Sequence, residues 1–202
     1  MGTLLRGAGW SAIAGLTACA VAVGACGVAL VHYAVGRPLL ATAFALLAAA
    51  SAFALDEPAS AVVDVTPSGP AAQTAARAVG LTVPLCGGLA LVLAAAPTLP
   101  VAGMGLALVG NLLLGFGIAS VARLRTGEPG VWASSAAVFV LIVPSMYGPL
   151  DRRIHMFPEA PGSNGLSSNT WWWLAGTASL LAITIAVRSD RAFRPSRSPV
   201  HR

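Results

Sequence analysis

The chain contains no lysine, only seven acidic residues in 202, and charged residues of any kind make up 9% of it. A soluble domain carries about 25% charged residues, so this chain has too little charge to coat a surface facing water. The absence of lysine rules out a Walker A phosphate loop, whose lysine reaches the terminal phosphates. Cysteines number three, and Cys19, Cys26 and Cys86 all lie in apolar runs, which argues against a disulfide framework. The three histidines, His32, His155 and His201, stand far apart and offer no metal-ligand spacing. A nucleophile elbow and a dinucleotide fingerprint are missing too. No charged residue falls near the middle of an apolar run, which argues against a proton-coupled pump or a carboxylate-based intramembrane hydrolase. No catalytic residue, metal or cofactor is assigned, and the chain reads as a membrane protein without a catalytic centre of its own.

What is present is apolar length. Hydrophobic residues make up 56% of the chain and the mean hydropathy is +0.79. A membrane-crossing helix needs about 20 largely apolar residues, and six stretches meet or approach that, at 8–31, 38–55, 78–96, 101–122, 131–147 and 171–187. The fold expected is all-α, a single six-helix transmembrane domain over 1–187. Breakers separate the spans: Gly36-Arg37-Pro38, Pro97 with Pro100, Gly127 to Gly130, and the stretch 158–165. Pro84 and Pro144 fall inside spans three and five, where they are expected to kink a helix rather than end it.

The first span admits a second reading. Leu16-Thr17-Ala18-Cys19 resembles a lipoprotein processing box, with Arg6 as the charged start of a signal peptide. Cleavage there would leave half a span followed by five more, so a membrane helix is the preferred reading. Met1-Gly2 does not fit myristoylation, because position 6 is Arg.

All twelve basic residues are arginine, and they cluster at span ends. Basic residues collect in cytoplasmic loops. With both termini inside, Arg6, Arg77, Arg123, Arg125, Arg188, Arg191, Arg194, Arg197 and Arg202 are cytoplasmic, against Arg37, Arg152 and Arg153 outside. The expected location is therefore a multi-pass position in the cell membrane, with a basic, disordered cytoplasmic tail at 188–202. The calculated pI near 10.1 is explained by this topology and by anionic headgroups, without nucleic acid. Trp171-Trp172-Trp173 opens the sixth span, and His32-Tyr33 closes the first, where interfacial aromatic anchors are expected.

Two features within the spans bear on packing. Gly103, Gly110 and Gly117 recur every seven residues along span four, with Gly105 and Gly115 nearby, and such a stripe lets helix backbones approach closely. The partner is another helix of the same chain or a second copy. Asn111, the main polar residue in a span, is expected to hydrogen-bond a neighbouring helix.

Between spans two and three lies a polar connection, 56–77, that holds Asp56, Glu57 and Asp64. Glu57-Pro58 offers a helix start, Ala59, Val62 and Val63 recur at helical spacing away from Asp64, and Thr66-Pro67 ends the piece. On the cytoplasmic side its acids are repelled by anionic lipid, so a protein partner is expected. The run Ala54-Leu55-Asp56-Glu57-Pro58-Ala59-Ser60 followed by Thr66-Pro67, the loop from Arg123 to Gly130 and a Trp-led last span ending in Arg188 to Arg194 resemble membrane subunits of ATP-binding-cassette transporters in high-GC Gram-positive bacteria. The resemblance implies a permease subunit that forms part of a translocation pathway, powered by a separate cytoplasmic ATPase. It implies a docking helix at 56–67 (Asp56, Glu57, Asp64), a second contact through Arg123, Arg125 and Glu128, and a homodimer or a paired homologous subunit. The alternative is a non-transporting membrane scaffold or accessory protein. An intramembrane lipid enzyme is disfavoured by the missing ionisable residues.

Overall fold

In a medium without water a long apolar segment satisfies its backbone hydrogen bonds by closing each of them within itself, as a helix does. A computed structural model describes residues 10–33, 35–55, 77–126, 129–146 and 166–193, with the backbone alone at 143–146, 166–169 and 190–193. All regular structure among the described residues is helical. In chain order the helices are α1 (Trp10–Ala29), α2 (Gly36–Ala52), α3 (Thr82–Ala95), α4 (Val101–Ala122), α5 (Pro129–Met146) and α6 (Leu166–Phe193). A 3-10 turn, Phe53–Leu55, extends α2, and another, Val79–Leu81, leads into α3.

Four stretches are long and apolar enough to cross a membrane: Trp10–Ala29, Gly36–Leu55, Val101–Ala122 and Thr170–Ser189. Val79–Ala95 and Pro129–Ile142 are shorter apolar helices. These helices mark the protein as membrane-associated.

Several expected boundaries shift. Pro84 lies in the first turn of α3, just after the 3-10 turn Val79–Leu81, where a proline's missing N–H is least costly. α5 runs through Pro144 to Met146. α6 begins before the tryptophans and continues to Phe193, so 188–193 is helical rather than part of a disordered tail. The stretch 194–202 lies outside the described residues.

The helices alternate in direction. One cluster joins Trp10 and Ile13 near the start of α1, Ala52 and Leu55 at the end of α2, Ala78 and Leu81 before α3, Phe116 and Ala119 late in α4, Ala133 early in α5 and Ile183 late in α6. A second joins Val28 and Val31, Leu40 and Phe44, Val92 and Ala95, and Met104 and Leu108. The starts of odd-numbered helices thus meet the ends of even-numbered ones, as short connections between antiparallel neighbours require. The turn from α1 to α2 is closed by Tyr33 N–H on Leu30 C=O (2.9 Å) and Gly36 N–H on Tyr33 C=O (3.1 Å). A side chain at Gly36 would strike the Leu30 carbonyl oxygen. Between α3 and α4, Leu99 N–H donates to Ala95 C=O (2.9 Å) and Pro100, in extended conformation, starts α4.

α2 is the centre of the bundle: it touches α1, α3, α4 and α5, and 72% of its apolar window is buried. α6 is the most peripheral of the long helices, 17% buried, and packs chiefly on α4. Much of the interior is built from small side chains. Ala43, Ala45, Ala48, Ala50 and Ala52 of α2, with Ala107 and Ala119 of α4 and Ala133 and Ala137 of α5, are all fully buried. Larger side chains divide: Ile13, Leu40, Phe44, Leu47, Met104, Leu108 and Trp172 are buried among them, whereas Leu93, Trp132, Phe139, Trp173 and Leu181 are among the most exposed. Where the surrounding solvent is itself apolar, helices gain by close contact of small residues rather than by hiding large ones.

Candidate functional site

The α4 glycines serve two partners rather than one. A Cβ at Gly110 would lie 2.5 Å from Cε3 of Trp172, and one at Gly117 would lie 3.1 Å from Cβ of Ser179. Both face α6. Trp172 and Ser179 are themselves seven residues apart and both buried, so a glycine repeat on α4 meets a matching repeat on α6. The constant offset makes the two helices parallel, and the next residue of the α6 series, Ala186, is also buried. Gly115 faces the other way, where an added Cβ would run into the Ala48 carbonyl oxygen and Ser51 Oγ of α2. Gly103 is buried, whereas Gly105 has open space around it. The stripe therefore packs inside the chain at Gly110 and Gly117.

Two polar expectations change. Asn111 does not reach a neighbouring helix: its Nδ2 donates to Ala107 C=O of its own helix at 2.7 Å, and its buried Oδ1 finds no hydrogen-bond partner among the described residues. A polar link between helices comes from Ser51, whose Oγ lies 2.7 Å from Ala48 C=O and 3.0 Å from Leu112 C=O of α4. The only hint of this in the sequence is a serine inside an alanine run, which composition alone does not single out. The tryptophan triplet also divides. Trp172 is fully buried against Gly110, Trp171 is half-buried, and Trp173 is 65% exposed. Only Trp173 among the three has the outward position an interfacial anchor needs.

The alternation of helices gathers the described arginines. Arg77 precedes α3, Arg123 and Arg125 follow α4, and Arg188 lies late in α6, all at one end; Arg37, at the start of α2, is at the other. Arg77 is buried, so it is not part of an open surface. The turn after α4 is held by Arg123 N–H on Ala119 C=O and by Arg125 and Thr126 N–H on Ala122 C=O, each at 2.9 Å. It leaves Arg125 exposed. Of the other residues expected to dock a partner, Asp56, Glu57, Asp64 and Glu128 lie outside the described residues, as does the whole segment 56–67. The cysteines Cys19, Cys26 and Cys86 are free and exposed on the outer faces of α1 and α3 rather than buried.

Toward the arginine-rich end, α4 and α6 enclose a lateral groove of about 480 Å³. Leu114, Ile118 and Val121 form one wall and Ala178 and Ala182 the other, with Gly117 and Ser179 at their close approach and Arg125 at one end. Among the described residues no group of three His, Cys, Asp or Glu is placed to hold a metal. No protein-family model matches this sequence, and no curated protein or solved structure does so.

Proposed function

We propose that the protein is a six-span permease subunit of an ATP-binding-cassette transporter, lying in the cell membrane with both termini cytoplasmic and working with a separate ATPase. The observation that carries the reading is the alternation of six helices that sets Arg77, Arg123, Arg125 and Arg188 at one end against Arg37 at the other. That partition is what the preference of basic residues for the cytoplasmic side produces. α3 with its leading turn spans about 25 Å at an α-helical rise, against a hydrocarbon core of about 30 Å. The bilayer accommodates such a shortfall by local thinning at modest cost. On this reading the connection 56–77, with Asp56, Glu57 and Asp64, and the turn bearing Arg123, Arg125 and Glu128 form the docking face for the ATPase.

The packing of α2 refines the proposal. Its alanines at zero exposure leave the centre of the bundle filled, so the translocation path runs between two copies, or between this chain and a homologous subunit. The same filled centre favours a second reading, a non-transporting membrane scaffold. Co-expression of the tagged protein with a candidate ATP-binding-cassette ATPase, followed by purification in detergent, separates the two. The permease reading expects a stable complex that an Asp56/Glu57/Asp64 triple alanine variant weakens. Purification without any ATPase overturns it in favour of the scaffold.

A further inference from the structure

The groove between α4 and α6 has a polarity of its own. Its walls are aliphatic, and its one ionic group among the described residues, Arg125, stands at the end of the bundle that also carries half-buried Arg123 and exposed Arg188. The Gly110–Trp172 and Gly117–Ser179 contacts set the two helices in parallel register. That register puts Arg188 of α6 within about one residue of the level of Arg125, by the shared rise of the two helices. The groove's size falls within the roughly 300–1,000 Å³ typical of small-molecule sites.

An occupant of this groove needs an apolar chain to lie along Leu114, Ile118 and Val121 and an anion to meet a guanidinium at the interface. A soluble anion would leave the aliphatic walls unused, and a zwitterionic lipid would bring a second cation toward Arg125 and Arg188. We infer that the α4–α6 groove binds an anionic phospholipid, with one acyl chain between the helices and its phosphate on Arg125. Guanidinium and phosphate match in bidentate geometry, and basic pockets between membrane helices on the cytoplasmic side suit anionic headgroups. The inference rests on the membrane reading above but not on the presence of an ATPase.

Native mass spectrometry of the detergent-purified chain tests it, after incubation with equal amounts of phosphatidylglycerol and phosphatidylcholine. The wild type is expected to retain phosphatidylglycerol in preference by about tenfold, the scale of one charge-assisted hydrogen bond. Arg125→Ala should bring the preference close to parity, and Arg37→Ala, at the opposite end, should leave it intact. Ala178→Trp, which fills the groove from an exposed position, should lower retention of both lipids. Melting temperatures of each variant are read in parallel, and if Ala178→Trp does not fold, Arg125→Ala decides. Equal retention of the two lipids by the wild type overturns the inference, as does an undiminished preference in Arg125→Ala. Displacement of the lipid by millimolar inorganic phosphate would make Arg125 a simple anion site and overturn the acyl-chain claim. A lipid-free dimer that Ala178→Trp splits would put a second copy in the groove instead. Recovery of the chain in the soluble fraction would strike the membrane reading itself, whereas membrane extraction without lipid preference strikes this inference alone.

Discussion

Gly115 and Gly105 share a helix, yet they differ in what surrounds them. A methyl group at Gly115 would meet the Ala48 carbonyl oxygen and Ser51 Oγ, whereas one at Gly105 would meet nothing within 4 Å. Gly115→Ala should therefore destabilise the fold by about 1–3 kcal/mol, the usual penalty of overpacking. Gly105→Ala should be neutral or slightly stabilising, since alanine is the better helix former. Thermal melts in a single detergent check both, and equal melting temperatures would refute the α2–α4 contact. At Asn111 the buried Oδ1 has no hydrogen-bond partner among the described residues, and an unmet buried acceptor is a liability. Asn111→Leu is accordingly expected to melt no lower than the wild type. Ser51→Ala should cost about 0.6 kcal/mol, the average found for hydrogen bonds between membrane helices. Asn111 was visible in the sequence because it is rare in a span; Ser51 was not, because a lone serine among alanines carries no periodic signal.

Among the elements, α6 departs furthest from its sequence description. Hydropathy brackets its apolar part, but helical hydrogen bonding carries it from Leu166 to Phe193, and adjacent tryptophans fall on different faces of a helix. Trp172 fills the space that Gly110 leaves open, so Trp172→Ala should open a cavity and cost about 3–5 kcal/mol. Trp173→Ala, on the outer face, should stay within about 0.5 kcal/mol. Melting curves of the two variants give the comparison, and similar losses would mean that the triplet acts as an interfacial belt after all. On α4 the seven-residue glycine repeat was legible, and so was its role in close packing. Which helix it meets was not, because Gly110 and Gly117 turn toward α6 while Gly115, two residues before Gly117, turns toward α2.

For the whole molecule, direction matters more than contacts. Alternating helices place Tyr33 and Leu124, both exposed, at opposite ends of the bundle. In a background with Cys19, Cys26 and Cys86 replaced, Tyr33→Cys should react with an impermeant thiol reagent applied outside intact cells. Leu124→Cys should react only after the cells are opened. Labelling of both from one side would break the proposed topology. The arginine distribution predicts that orientation from sequence, because most arginines sit at or beyond the ends of apolar runs and the runs alternate. The docking segment around Asp56, Glu57 and Asp64 lies outside the described residues, and its role stays with the proposal and its co-purification test.

Composition by itself determined that this chain is helical and membrane-associated: too little charge for an aqueous surface, and apolar runs of helix-spanning length. The order of the helices within the bundle was decided only by tertiary structure. The first and second spans have the same mean hydropathy, 2.0, yet 28% of one and 72% of the other is buried. In water an apolar face must turn inward, so a pattern of hydropathy reveals the core. In lipid an inward and an outward apolar face are solvated almost equally. The choice then falls to shape, to whether a glycine leaves room for a tryptophan or an alanine lets a serine reach a carbonyl, and that is settled between helices rather than along one.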